Sequence, residues 1–211
     1  MRPAPVEETP AVIRRTALRM FAERGYDATS IRDIAAAVGI RGASMYHHFA
    51  AKEEILWDLT QTALLALAES WRVAKERVQP ADPTALLRAF VRCDVTFHAV
   101  HRTEAVIVNA QLHRLSAEHR ERVVEMRRAL ELELTVIVTD CLATGRHSVP
   151  DVRVTVFAIL QMSIAVAGWY DPAGALSLEE LADIYEELAV KLLAAPPDQA
   201  SPLEPDRTVA G

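Results

Sequence analysis

The sequence predicts an all-α protein of about nine helices. Three observations predict it: apolar residues recur every three to four positions almost throughout, glycines and prolines punctuate the chain where that rhythm stops, and no convincing period-two alternation appears.

The first helix is expected over about residues 9–24. Ile13, Ala17, Met20 and Phe21 form one apolar stripe, and Gly25 ends it. A short helix follows, with Ile31, Ile34, Ala35 and Val38 on one face, opened by the capping pair Ser30 and Asp33 and stopped by Gly39. A third short helix covers about 42–48. A longer one begins near Lys52 and holds Leu56, Leu59, Ala63, Leu67, Ser70 and Ala74 on one face as far as Val78. The prolines of QPADP, residues 79–83, mark a loop. Helices are expected next at about 84–101 and 103–114, then one long helix over 116–144. In that last one Val123, Met126, Leu130, Leu134, Ile137 and Cys141 keep helical spacing beneath the charged face of EHRERVVEMRR. Residues 152–168, VRVTVFAILQMSIAVAG, are apolar nearly all round, which demands cover on several sides, part of it from a partner subunit. The turn-rich WYDPAGALS leads to a last amphipathic helix at about 178–194, carrying Leu178, Leu181, Ile184, Tyr185, Leu188 and Leu192. The Pro-rich residues 196–211 read as a disordered tail.

With 51% hydrophobic and 25% charged residues, the 211-residue chain has ample material for a core. No apolar run of about 18 residues lacks a charge, so no membrane span is expected, and the N-terminus lacks the apolar centre of a signal peptide. Cys93 and Cys141 are isolated, which suits a reducing cytoplasm and argues against structural zinc. The net charge of −6 is unevenly spread. Residues 1–60 hold eight Lys/Arg and eight Asp/Glu, so the whole deficit lies further on. Between Asp33 and Glu53 there is no acid, while Arg41, His47, His48 and Lys52 fall inside that window. This is a local basic face on an acidic protein.

Two short helices joined by a glycine turn, directly after a longer helix, form a helix-turn-helix pattern over about residues 30–49. In its second helix Gly42, Ala43 and Ser44 are small enough for close backbone approach to DNA. Tyr46, His47 and His48 offer polar groups to phosphates and base edges, and Lys52 is placed to reach a phosphate. The adjacent histidines point about 100° apart around the helix, so they cannot hold one ion together.

The stretch RTALRMFAERGYDATSIRDIAAAVGIRGASMYHHFAAKEEIL, residues 15–56, resembles the DNA-binding domain of the TetR/AcrR transcriptional regulators. The resemblance covers about residues 7–67. It implies a cytoplasmic homodimer, usually a repressor, that leaves its double-stranded DNA operator when a small effector binds. It also implies that Ser30, Ser44, Tyr46, His47 and Lys52 face DNA, and it leaves 68–195 as a ligand-binding and dimerisation region. WYDPAGALSLEELADIYEEL is similar to the end of a subgroup that regulates fatty-acid or steroid breakdown and senses acyl-CoA-like ligands. One departure stands out. Where many members carry a capping Ser or Thr, this chain has Arg41, followed by Gly42 where a lysine is common. Arginine cannot accept the amide hydrogen bonds of a cap, so it is expected to leave the helix start loose and to contact DNA itself.

An effector pocket needs an apolar lining with few polar groups. Phe90, Phe97, Leu112, Met126, Phe157 and Met162 are candidates for the lining. Asp94, His98, Asn109, Gln111, Gln161 and Trp169 are candidates for the polar contacts, Gln161 as a buried amide in an apolar helix. Asp94, His98 and His101 share a helix face at metal-type spacing, which keeps a metal-responsive regulator open beside a plain polar strip. His113 and His119 read as surface. There is no Ser/His/Asp or Cys/His arrangement and no phosphate-binding glycine loop, so neither catalysis nor a cofactor is expected. A helical ligand-binding protein or enzyme with a vestigial helix-turn-helix is the remaining alternative.

Overall fold

The computed structural model describes residues 9–78 and 82–193; residues 79–81 of the expected loop and the expected disordered tail lie outside them. Among the described residues there are nine α-helices and one turn of 3-10 helix, with no strand. In order they are α1 (Thr9–Arg24), α2 (Ile31–Val38), α3 (Gly42–His48), α4 (Lys52–Glu76), α5 (Pro83–Val100), α6 (Arg102–Gln111), the 3-10 turn Leu112–Arg114, α7 (Ala117–Ala143), α8 (Val152–Trp169) and α9 (Leu178–Leu192). Helix α5 starts at Pro83 because Asp82 accepts the Ala85 amide and proline suits the first helical position. The segment expected as a helix over 103–114 tightens into 3-10 form at its end.

Two apolar cores form. The first joins Ile13, Ala17, Met20 and Phe21 of α1 to Ile34 and Ala35 of α2, Met45 of α3 and Ile55, Leu56 and Trp57 of α4. It also takes Leu115 and Val123 from the start of the α7 region. The second is built around α5, which packs against α4, α7, α8 and α9. Leu87, Phe90, Val91 and Val95 of α5 meet Leu134 and Val138 of α7, Val156 and Ile159 of α8, and Leu181 of α9 there.

Helix α4 belongs to both. Its 25 residues span about 37 Å, with Ile55 and Leu56 in the first core and Trp71 in the second. Its inward stripe differs from the expected one at one place: Trp71 is buried, while Ser70 is exposed and bonds the Ala66 carbonyl 2.8 Å away.

Helix α8 is long and apolar enough to cross a membrane by length and composition. Here Val156, Ile159, Ser163 and Val166 are buried against α5, α6 and α7, whereas Val154 and Phe157 are 65% and 63% exposed. Gln161 lies on that open side and is not a buried amide. Helix α9 divides likewise. Leu181 and Ala189 face the core, and Ile184, Leu188 and Leu192 face outward.

Candidate DNA-binding face and effector cavity

The helix-turn-helix is held by local chemistry. Ser30 Oγ accepts the Asp33 amide at 3.1 Å, and Asp33 Oδ2 accepts the Ser30 amide at 2.9 Å, a reciprocal cap on α2. The Ser30 hydroxyl also donates to that carboxylate at 2.6 Å, so the side chain is engaged in the cap. These bonds hold the Asp33 carboxyl below its ordinary value. Gly39 ends α2 with φ +80°, and its amide and that of Ile40 return to the Ala36 and Ala35 carbonyls at 3.2 and 3.1 Å. Helix α3 then starts at Arg41, whose φ −69° and ψ 148° suit a cap but whose side chain makes no capping bond.

Met45, 1% exposed, and Phe49 anchor α3 to the first core. That leaves Arg41, Gly42, Ala43, Tyr46, His47 and His48 exposed, with Ser44 half-buried. Lys52 departs from expectation. Its Nζ donates to the Tyr26 carbonyl at 2.6 Å and sits 4.1 Å from the centre of the Tyr26 ring. Burial holds this amine below the usual lysine value. In this conformation it braces the turn after α1, and a phosphate contact needs it to swing out.

The first core is tied to the start of α7. Glu53 Oε1 accepts the Ser116 amide at 2.9 Å and pairs with His119 Nδ1 at 2.7 Å. The His119 ring stacks on Trp57 with centroids 4.5 Å apart. His119 is therefore half-buried and structural, where the sequence suggested surface. Arg114 and Asp27 add an ion pair across the same junction.

A cavity of about 270 Å³ lies among α4, α5, α6, α7 and α8. Of the sequence candidates Phe90, Asp94, Phe97, His98, Asn109, Phe157 and Gln161 line it. Leu112 and Met126 instead pack on the first core, and Met162 packs on the second. Gln111 also lies away from the cavity, and Trp169 is exposed at the end of α8, beside Tyr170 and Tyr185. Trp71, Cys93, Arg127 and Leu130 line the cavity and went unread. Trp71 follows Leu67 at i+4, so the stripe pointed to it. Arg127 sits at i+4 from Val123, hidden within a run that reads as charged surface.

Asp94 and His98 are buried together, with His98 Nδ1 2.8 Å from the Asp94 carbonyl and 3.2 Å from its Oδ1. Burial opposes a charge on His98, but the bond and charge of Asp94 outweigh it and raise the imidazole above its ordinary value. Asp94 Oδ2 has no donor. His101 lies against the Phe97 ring at 4.4 Å. Asp94, His98 and His101 therefore do not converge on one point. Among the described residues, the side chains that bring three ligand atoms within 4.8 Å of one another are Glu53, Glu54 and His119. Burial and then the Asp94 charge push the Cys93 thiol up to about 11, which disfavours the thiolate at neutral pH.

Comparison with known proteins agrees with this arrangement. The family described as "Tetracyclin repressor-like, C-terminal domain" matches residues 80–193, and "Bacterial regulatory proteins, tetR family" matches residues 13–59. The chain belongs to the TetR family. This TetR regulator is 30% identical over 174 residues to the HTH-type transcriptional repressor KstR2 of Mycobacterium tuberculosis, covering 80% of this chain and 84% of the relative. A bacterial regulatory protein of the tetR family from Rhodococcus RHA1 superposes with a TM-score of 0.83 at 26% identity, over 91% of this chain and all of that one. AibR, in complex with isovaleryl coenzyme A and operator DNA, superposes with a TM-score of 0.74 at 26% identity, over 88% of this chain and 98% of that one.

Proposed function

We propose that this regulator is a homodimeric repressor that leaves its operator when a small apolar, acyl-CoA-like effector enters the α4–α8 cavity. The observation that carries the reading is the run of α4. One end follows directly on the exposed α3, and Ala63, Leu64, Leu67 and Trp71 further along form one wall of the cavity. A ligand that changes the seat of α4 therefore changes the placement of α3.

On this reading residues about 7–67 form the DNA-binding domain and 68–195 the effector and dimer domain. Arg41, Gly42, Ala43, Ser44, Tyr46 and His47 meet the major groove, Ser30 sets the preceding helix against the backbone, and Lys52 reaches a phosphate once released from Tyr26. The outward faces of α8 and α9 pair with those of a second copy as a four-helix contact. The dimer then sets two copies of α3 at the separation of successive major grooves, about 34–36 Å for half-sites one turn apart. The effector shifts this only as far as its affinity differs between the two conformers. The relatives support the direction: KstR2 is a repressor, and AibR is crystallised with both an acyl-CoA and an operator. A DNA-bound regulator works in the cytoplasm, and no catalytic step is assigned to it.

The test is fluorescence anisotropy with DNA from upstream of the regulator's own coding region. Binding is expected to exceed that to unrelated DNA and to weaken about 10³–10⁵-fold between 50 and 200 mM salt, as for about six to ten phosphate contacts. Equal binding to unrelated DNA would sink the reading. Deleting the gene should raise transcription from that upstream region; a fall would make the protein an activator.

A further inference from the structure

Arg127 is a cation facing into the cavity without an acid to balance it. It is half-buried on α7 and donates to the Asn109 side-chain oxygen at 2.6 Å, a neutral acceptor that uses one of its five N–H groups. No carboxylate of the described residues forms an ion pair with it. Glu104 and Glu131 belong to the cavity wall, yet neither reaches it. Burial alone disfavours its charge. Asp94, a buried acid of the same wall, pairs through Oδ1 with His98, and its Oδ2 takes no bond from Arg127. A buried cation is costly unless it is paired. Much of the remaining wall is apolar: Leu67, Trp71, Phe90, Phe97 and Leu160.

We propose that the effector carries a carboxylate that pairs with Arg127 while its hydrocarbon body fills the cavity. This rests on the effector-responsive reading above and replaces its acyl-CoA-like ligand with a free carboxylic acid of acyl size. Arginine suits this role because its planar fork matches a carboxylate with two parallel bonds. Size argues for a free acid over a whole coenzyme A ester. The cavity, about 270 Å³, lies at the small end of pockets that enclose drug-sized ligands, about 300–1,000 Å³. It accepts an acyl group and leaves no room for a nucleotide. An ester would present Arg127 with a neutral carbonyl and carry its phosphates outside.

The experiment is isothermal titration calorimetry at pH 7 with decanoic acid, 1-decanol and decanoyl coenzyme A as probes. The wild-type protein should bind the acid at least tenfold more tightly than the alcohol, the ratio expected of a charge-assisted hydrogen bond. Arg127→Met should abolish that preference, and Arg127→Lys should restore part of it. Equal binding of acid and alcohol by the wild type overturns the proposal, and this comparison needs no variant. So does a preference that persists in Arg127→Met, or the absence of binding by any probe. Tighter binding of decanoyl coenzyme A than of decanoic acid would place the recognised anion on the phosphates and also overturn it. Operator binding by the same wild-type preparation separates the two readings. DNA bound without acid preference removes only this proposal, whereas acid preference without DNA binding removes only the repressor.

Discussion

At the scale of single residues, Arg41 and His98 make the sharpest claims. Arg41 holds the backbone shape of a helix cap without supplying the cap. Arg41→Ser adds an acceptor for the orphan amides of α3 and should stabilise the protein by about 0.5–2 kcal/mol in urea melts. The same change should weaken operator binding and make its salt slope shallower by about one. A variant that gains stability yet binds DNA with an unchanged slope would show that the guanidinium touches no phosphate. His98 has its folded-state value raised above the ordinary 6.5 by Asp94, against the effect of burial. The folded protein therefore holds this proton more tightly than the unfolded chain. The stabilisation is complete below about pH 6.5 and disappears as pH rises through the raised value. Urea midpoints across that window should fall with pH in the wild type, and the fall should be smaller in Asp94→Asn. Parallel pH slopes in both proteins would contradict it.

Helix by helix, the glycine between α2 and α3 governs how the reading helix is presented. Gly39 has φ +80°, and a β-carbon built there would meet nothing within 4 Å. The cost of Gly39→Ala is then backbone strain alone, about 1–2 kcal/mol. Gly39→Asn should cost less, because asparagine tolerates this conformation better. Urea denaturation of the two variants ranks them, and an alanine variant as stable as the wild type would be inconsistent with the turn. This turn was legible in the sequence because its signals are local: Ser30 and Asp33 at capping distance, then a glycine. The Arg41 departure was legible for the same reason, since a missing acceptor shows in one letter. The cavity was legible only in part. Phe90, Asp94 and His98 lie on the inward face of α5, which periodicity reveals, but Leu112 and Met126 share that apolar pattern and serve the first core. Periodicity tells which face is buried and not which neighbour it meets. Arg127 was missed because a charged residue in a charged run reads as solvent-facing. Lys52 and His119 were misplaced because their partners, the Tyr26 carbonyl and the Trp57 ring, are long-range contacts.

For the whole molecule, the open faces of α8 and α9 set the strongest demand. Ile184, Leu188 and Leu192 follow one another at i, i+4 and i+8 and are 44%, 44% and 45% exposed. On α8 the outward stripe runs through Val154, Phe157, Ala158, Gln161 and Ala165, where small residues admit a close neighbour. Apolar faces of this kind, left open on two helices, are what a symmetric partner covers. Phe157 and Gln161 also line the cavity, so the face proposed to meet a second copy is one wall of the proposed effector site. An effector pressing on that wall would alter the packing between subunits and with it the separation of the two α3 helices. Leu188→Glu places a charge in the middle of the α9 stripe without touching the core, because Leu181 and Ala189 do the inward packing. The variant should keep its helical circular dichroism yet run as a monomer in light scattering. Its operator affinity should drop steeply, because each subunit then binds one half-site without the other tethered beside it. A dimer that survives this substitution would move the interface elsewhere, and would also break the proposed link between the cavity wall and the spacing of the DNA-reading helices.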